Sequence, residues 1–193
     1  MKVDTIIVGF GIAGLNYAEQ LRRHKKSFIV IDPEEESASH LAAGIVNPTV
    51  LKRFNPVWKS KDFLEYSLPF YSELEANVQI QIIHPLPIYR ILNNIQEQND
   101  WGEAASRKSL EKYLNKQLIS GDKYPELRSP FAFGEVMQSA RVDTKRLLSN
   151  YIKKVIPHQF LTEKFDHKAL IPGALIEYKD IKALQIVLSL IHI

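Results

Sequence analysis

Three glycines and one aspartate near the N-terminus have the types and the spacing that hold a nucleotide. Gly9, Gly11 and Gly14 form a GxGxxG pattern, and Asp32 follows Gly9 by 23 positions. Gly9 permits a tight turn, Gly11 lacks the Cβ that would block a pyrophosphate, and Gly14 lets a helix pack closely on a sheet. Asp32 is placed to accept hydrogen bonds from ribose hydroxyls. The pattern therefore predicts a dinucleotide site.

The elements around these residues are the ones that such a site requires. Residues 3–8 form a β-branched run typical of a buried parallel strand, and residues 27–31 form a second run that ends at Asp32. Between them, apolar residues recur at the spacing of a helix with one buried face: Ile12, Leu15, Ala18 and Leu21. The N–H groups at the start of this helix, at Ile12 and Ala13, attract anions. A glycine turn in some other βαβ unit is the alternative, but the acid at the required distance favours a Rossmann-type α/β unit.

The composition excludes several kinds of site. The 193 residues contain no cysteine, which rules out disulfides, thiolate metal sites and a cysteine nucleophile. The six histidines show no HxxxH or HxxEH spacing, so we expect no metal site.

The charge pattern argues against a nucleic-acid partner. The net charge is only +3, and the densest basic run, residues 22–26, lies where positive charge stabilises the end of the first helix. Asp4 interrupts the N-terminal apolar run, which is therefore too short for a signal peptide. No apolar stretch reaches the length of a membrane span. We expect a cytoplasmic protein.

The segment after Asp32 decides between FAD and NAD as the cofactor. A carboxylate at Asp32 would repel the 2′-phosphate of NADP. Residues 37–48, with small residues ending in Ala-Ala-Gly, resemble the D-amino-acid oxidase and glycine oxidase family of FAD-dependent oxidoreductases. In that family this stretch passes beside the flavin, where small residues let the backbone approach the cofactor. The resemblance implies that four residues lie near FAD: Ser39, His40, Ala43 and Gly44.

His40 raises the question of a covalent link to the flavin. Some relatives attach FAD through a histidine directly before Ala-Ala-Gly or Ala-Pro-Gly. Here Leu41 stands between His40 and Ala42. We therefore expect His40 to be a loop residue beside a non-covalently bound FAD.

The resemblance also implies an activity. It is the oxidation of a C–N bond in an amino acid or secondary amine, by hydride transfer to flavin N5. The catalytic residues stay unknown, because the family's substrate-binding arginine and tyrosine occur later in its sequences. Three alternatives remain: a flavin-dependent tRNA-modifying oxidoreductase, a non-catalytic nucleotide-binding fragment, and an NAD-linked dehydrogenase. We expect this fragment alone to be inactive.

The remaining sequence predicts a partly antiparallel, substrate-side domain inserted into the Rossmann unit of a truncated chain. We assign residues 1–76 to the FAD-binding segment, 77–140 to part of the substrate domain, and 141–187 to an incomplete return to the FAD domain. Residues 188–193 resemble a translated sequencing adapter, and we expect them to be non-native. Further predicted elements are a helix over 61–76, two strands within 78–92, a strand near 131–138, a helix after Asp143, and strands over 159–165 and 174–187.

Overall fold

The structure is a computed structural model that describes residues 1–127, 129 and 131–189. Its strands are β1 (Lys2–Val8), β2 (Phe28–Asp32), β3 (Ile45–Val46), β4 (Thr49–Val50), β5 (Asn55–Pro56), β6 (Ile83–Pro85), β7 (Ile88–Leu92), β8 (Ile119–Ser120), β9 (Ala132–Val136), β10 (Ala140–Val142), β11 (Phe160–Thr162), β12 (Leu170–Ile171), β13 (Ile176–Tyr178) and β14 (Ile181–Leu188). Its helices are α1 (Ile12–Arg23), α2 (Ala38–Leu41), α3 (Ser60–Val78), α4 (Ile95–Ser106) and α5 (Thr144–Lys154), with 3-10 turns at Gly121–Lys123 and His167–Ala169.

These elements belong to two compact units. The first unit comprises Met1–Ala42, Asn77–Gln79 and the described part of Thr144–Ile193. The second unit comprises Ala43–Ala76 and Ile80–Asp143. In the sequence, the second unit is thus inserted between parts of the first.

A six-stranded sheet, counted over the described residues, forms the centre of the first unit. Its order is β11-β2-β1-β14-β13-β12. The first four strands are parallel, whereas β13 pairs antiparallel with β14 and β12 with β13. Strands covered on both faces are apolar throughout, and the central ones follow this rule with four fully buried residues: Ile6, Ile7, Val30 and Ile31. The order β1-α1-β2 confirms the predicted Rossmann-type α/β fold.

Helix α1 begins directly after the glycine turn, with Gly11 as its N-cap. Its buried face contains Leu15, Ala18 and Leu21, the periodic residues of the sequence. Arg22 and Arg23 occupy its last turn, where positive charge interacts favourably with the helix dipole. The predicted helix is therefore confirmed, and the basic run begins in its last turn.

The second unit is built from small antiparallel sheets: β3-β10-β6, β4-β5 and β7-β9-β8. Helix α4 packs against β7 and β9 and contributes the fully buried Trp101. The Trp101 indole lies against Gly134 of β9, and its Nε1–H donates to the Asn115 carbonyl at 2.9 Å. The apolar core around it contains Leu92, Ala104, Ala105, Leu110, Tyr113, Leu114 and Val136.

One predicted element differs from the structure, and one helix of the structure was not predicted. Residues 174–187 are not one strand but the hairpin of β13 and β14, which turns at Lys179 with a positive φ of 52°. Helix α4 was not predicted. Of the proposed adapter-derived residues 188–193, Leu188 lies in β14 and the Ser189 N–H donates to the Val8 carbonyl at 2.7 Å; residues 190–193 lie outside the described part of the chain.

Candidate functional site

Two glycines of the turn between β1 and α1 are required by the fold itself. Gly9 has a φ of +93°, a conformation that residues with a Cβ rarely adopt, and its N–H donates to the Ile31 carbonyl at 2.9 Å. A Cβ on Gly14 would collide with the carbonyl oxygen of Gly9. One glycine thus makes the turn, and the other lets α1 approach it.

Unlike Gly9 and Gly14, Gly11 is required neither by its backbone conformation nor by contact with another part of the backbone. Its φ of −79° is open to any residue, and it caps α1 through its carbonyl, which accepts the Leu15 N–H at 2.9 Å. The atoms that an added Cβ would approach belong to the Ser39 side chain, with Oγ at 2.8 Å. The missing side chain at Gly11 therefore leaves room for the Ser39 hydroxyl beside the N-terminus of α1.

Ser39 is held at this helix N-terminus by contacts from two directions. Its Oγ accepts the Ile12 N–H at 3.0 Å. Its carbonyl accepts a hydrogen bond from Thr144 Oγ1 at 2.6 Å, across 105 positions of sequence. Ala13 is exposed on the same first turn, which carries no acidic residue. The structure thus brings Gly11, Ile12, Ala13 and Ser39 together around a helix end that favours anions.

Asp32 is oriented by backbone donors on both of its oxygens. Oδ2 accepts the Phe10 N–H at 2.7 Å, and Oδ1 accepts the Glu34 N–H at 2.7 Å. The Phe10 ring is buried against Tyr151 and Phe160, with centroid distances of 6.1 and 5.6 Å. Each carboxylate oxygen retains a second lone pair for a further donor. The carboxylate is therefore fixed at the end of β2, beside the glycine turn.

A cavity of about 210 Å³ lies next to the turn, at the carboxyl ends of β1 and β2. Its lining residues are Val8, Gly9, Ile31, Pro33, Lys164, Phe165 and His167. The buried Phe165 ring is stacked on Tyr178 at 4.6 Å and meets the His167 ring edge-on at 5.0 Å. This cavity was not predicted from the sequence. Because ligands bind outside the carboxyl ends of parallel strands, the loop after the strand over 159–165 was the signal that could have found it.

The other predicted residues have local explanations in the structure. His40 Nδ1 lies 2.9 Å from Ser37 Oγ and accepts the Ser37 N–H at 3.3 Å, which stabilises the start of α2. Ala43 and Gly44 belong to the second unit. Gly44 has a φ of +67°, its carbonyl accepts the Val142 N–H at 2.8 Å, and a Cβ there would collide with the Val142 carbonyl. Proximity of His40, Ala43 and Gly44 to FAD stays a prediction.

A buried ionic network fixes α1 against α5, the helix that carries Thr144. The Glu19 carboxylate is fully buried and accepts hydrogen bonds from Arg22 at 2.8 Å, Arg23 at 3.1 Å and Tyr151 at 2.7 Å. Burial alone would raise the pKa of Glu19, but these three donors outweigh it and hold the pKa below its usual 4.5. Burial and the neighbouring Glu19 raise the pKa of Tyr151.

Over the residues that the structure describes, no helix is both long and apolar enough to cross a bilayer. In the same residues, no three His, Asp or Glu side chains are grouped so that they could hold a metal ion.

The parallel sheet, the glycine turn and the acid at the end of β2 define an α/β fold of the Rossmann class. Residues 4–159 match the family described as "DAO: FAD dependent oxidoreductase". The chain therefore belongs to this family of FAD-dependent oxidoreductases, as the Ala-Ala-Gly segment led us to expect.

Solved structures show the same fold at low sequence identity. Glycine oxidase from Bacillus cereus matches with a TM-score of 0.70 at 14% identity, over 95% of this chain and 55% of that one. Glycine oxidase from Geobacillus kaustophilus gives 0.69 at 13%, over 97% and 55%. Iminodiacetate oxidase from Chelativorans sp. BNC1 gives 0.68 at 17%, over 95% and 54%. The chain thus spans about half the length of these structures.

Proposed function

We propose that the first unit holds FAD by its adenosine diphosphate part, and that the whole protein oxidises a C–N bond of an amino acid or secondary amine. Membership of the FAD-dependent oxidoreductase family supports the cofactor. The resemblance to two glycine oxidases and an iminodiacetate oxidase supports the substrate class.

The single observation that carries the cofactor assignment is the bare backbone of Gly11 beside the Ser39 hydroxyl at the N-terminus of α1. Neither its φ nor backbone packing requires glycine there; a Cβ would come within 2.8 Å of Ser39 Oγ, and its absence leaves the backbone accessible to a ligand. A pyrophosphate beside Gly11 would meet the N–H group of Ala13 and the Ser39 hydroxyl, whose oxygen already accepts the Ile12 N–H. These are donors, and they lie at the positive end of the α1 dipole.

The neighbouring groups fit the rest of an adenosine diphosphate. Asp32 has lone pairs free to accept ribose hydroxyl donors beyond its two backbone bonds. The cavity beside Gly9 offers the apolar side of Pro33 and the Phe165 ring to a planar base, with Lys164 and His167 as polar groups at its border. Pockets of this kind, mostly apolar with a few polar groups, suit an adenine.

When bound, FAD supplies the chemistry, because its flavin accepts the hydride of the substrate. The residues of the first unit bind and orient the cofactor. The helix end offsets the phosphate charge, Asp32 fixes the ribose, and the cavity keeps water from the base. We assign no catalytic acid or base.

The test is a set of binding titrations on the purified protein. The flavin fluorescence of FAD should change on binding, ADP should compete with FAD, and FMN, which lacks the adenosine monophosphate part, should not compete. Gly11→Leu should weaken FAD binding by more than about tenfold, a loss of about 1.4 kcal/mol. Gly102→Ala is the matched control, since nothing lies within 4 Å of a Cβ at Gly102.

Anaerobic addition of glycine, N-methylglycine or D-alanine to the full-length protein then tests the reaction through loss of the visible flavin absorbance. Binding of NAD in place of FAD would overturn the cofactor assignment. Reduction that requires tRNA would overturn the substrate class. Tight ADP and FAD binding with no reduction by any amine would mean that this chain is a nucleotide-binding module only.

A further inference from the structure

A group of apolar side chains in the second unit is exposed over one short stretch. Trp58 is 73% exposed, Phe63 54% and Tyr66 62%, and Val57 precedes them at 36%. The Trp58 ring meets Phe63 edge-on at 5.8 Å, and Tyr66 follows Phe63 at the i, i+3 spacing of neighbours on α3. Single exposed apolar residues are common, whereas contiguous ones mark interaction sites. We call these four residues the aromatic patch.

A groove of about 510 Å³ with a positive lining lies beside the aromatic patch. It contains four lysines, Lys59, Lys61, Lys108 and Lys112, against two carboxylates, Asp62 and Glu111. Lys59 connects the two features, because its Nζ lies 5.0 Å from the centre of the Trp58 ring while its side chain lines the groove. Lys61 approaches Glu65 only at 3.9 Å, with both side chains about two-thirds exposed at 66% and 64%. The groove therefore keeps an excess of positive charge next to exposed aromatic rings.

We propose that the aromatic patch and the lysines of this groove bind the surface of an anionic lipid bilayer. Tryptophan and tyrosine are enriched at the level of lipid headgroups, where their rings meet both apolar and wet surroundings. Lysine stems lie along apolar surface while their ammonium groups reach the headgroups. Each lysine near an anionic bilayer adds to the attraction. The chain would be held on the bilayer from one side, which needs no membrane-spanning helix.

Other occupants explain less of this surface. RNA would pair with the lysines and stack on Trp58, but it would leave Val57 and Phe63 in water. A second copy of the chain, joined by a two-fold contact, would bring the four groove lysines against the same four lysines. An anionic bilayer is complementary to both the rings and the charge.

The test uses the full 193-residue chain and the fluorescence of its two tryptophans. Trp101 is fully buried, so a change in emission on binding reports Trp58. With phosphatidylglycerol vesicles we expect co-sedimentation, a blue shift of the emission and protection of Trp58 from acrylamide. With phosphatidylcholine vesicles, or at high salt, we expect binding to fall at least about tenfold because the lysine contribution is lost.

Variants separate the two parts of the surface. Lys59→Glu with Lys61→Glu should abolish the preference for anionic vesicles, and Trp58→Ser with Phe63→Ser should abolish the remaining binding. Lys145→Glu, on the first unit with a 65% exposed side chain, is the control and should bind as the unchanged chain does. Circular dichroism checks that each variant is folded. The proposal is overturned if the chain does not co-sediment with the vesicles. It is also overturned if the blue shift appears without vesicles and grows with protein concentration, which indicates self-association, or if RNA binds and vesicles do not displace it.

Discussion

The β1-α1-β2 segment of the first unit and the whole second unit differ in how far their structures depend on contacts distant in sequence. β1, α1 and β2 follow one another within 32 residues, although the sheet that they join is completed by distant strands, since β1 also pairs with β14. In the second unit, the strands have two to five residues and pair across long intervals, as β7 does with β9. The comparison shows that neighbouring residues are enough to determine the glycine turn between β1 and α1. A surface built from short strands depends instead on tertiary packing.

The glycines show the same contrast at the level of single residues. Gly9 and Gly14 act within one turn of six residues, and each is needed because of the other. In the second unit, a Cβ at Gly44 would collide with the Val142 carbonyl, and a Cβ at Gly134 would collide with the Trp101 ring. These partners are known only once the chain is folded.

The largest expected effect comes from Gly14→Ala in the first unit. The new Cβ would collide with the Gly9 carbonyl, which is backbone and cannot swing away. We expect the free energy of unfolding to fall by about 3 kcal/mol, the upper range for overpacking, and FAD binding to be lost with the turn. Urea unfolding followed by circular dichroism measures the first effect, and flavin fluorescence measures the second.

Gly102→Ala in the second unit is the opposite case. Gly102 lies inside α4 with no atom near its Cβ position, so alanine should stabilise the helix by about 0.5–1 kcal/mol. A similar stability change from the two substitutions would contradict the idea that the glycines of the first unit are fixed by local packing.

The next effect concerns the buried carboxylate that connects α1 with α5. Glu19→Gln removes the charge that Arg22, Arg23 and Tyr151 share, and we expect a loss of about 1–3 kcal/mol at neutral pH. The folded-state pKa of Glu19 lies below 4.5, so its contribution is present above pH 4.5 and disappears as the pH falls through the folded-state value. The difference between the two proteins should therefore shrink in acid.

Glu75→Gln is the matched change in the second unit. The Glu75 carboxylate accepts the Ile82 and Ile83 N–H groups at 2.7 and 2.9 Å, and these backbone bonds lower its pKa in the same direction. The side chain is only half-buried, and glutamine keeps one acceptor, so about 0.5–1 kcal/mol should be lost. The free energies of unfolding of both variants are compared by urea unfolding between about pH 3 and about pH 8, which brackets the carboxyl pKa. An equal loss at Glu75 would remove the energetic distinction between the units.

A smaller effect should come from Thr144→Val, which tests whether Ser39 is positioned from a distance. Valine has nearly the shape of threonine but cannot donate to the Ser39 carbonyl. We expect a loss of about 1 kcal/mol in stability and a similar weakening of FAD binding. Thr144→Ser restores the hydroxyl and should restore binding. If the serine variant is as weak as the valine variant, the hydrogen bond is not what holds Ser39.

The sequence predicted the first unit better than the second for a physical reason. Periodicity and the GxGxxG spacing located β1, α1, β2 and the glycine turn, because these depend on neighbouring residues. The bond from Thr144 to Ser39 and the cavity beside Phe165 were missed, since each joins segments more than 100 positions apart. Helix α4 carried a local signal that was overlooked: Asn94 caps it by accepting the Glu97 N–H at 2.9 Å.

The smallest expected effect separates two tyrosines, one in each unit. In the second unit, the Tyr89 and Tyr124 hydroxyls share a hydrogen bond at 3.3 Å; this bond, with burial, raises the pKa of Tyr89 to about 12. The bond's contribution is present below pH 10 and is lost as the pH rises through the raised value. Tyr89→Phe should cost about 0.5 kcal/mol at neutral pH, because the bond is long and water can replace it.

Tyr151→Phe in the first unit should cost more, since the buried Glu19 loses a donor that no water replaces. Equal costs in urea unfolding would mean that burial does not separate the two hydroxyls.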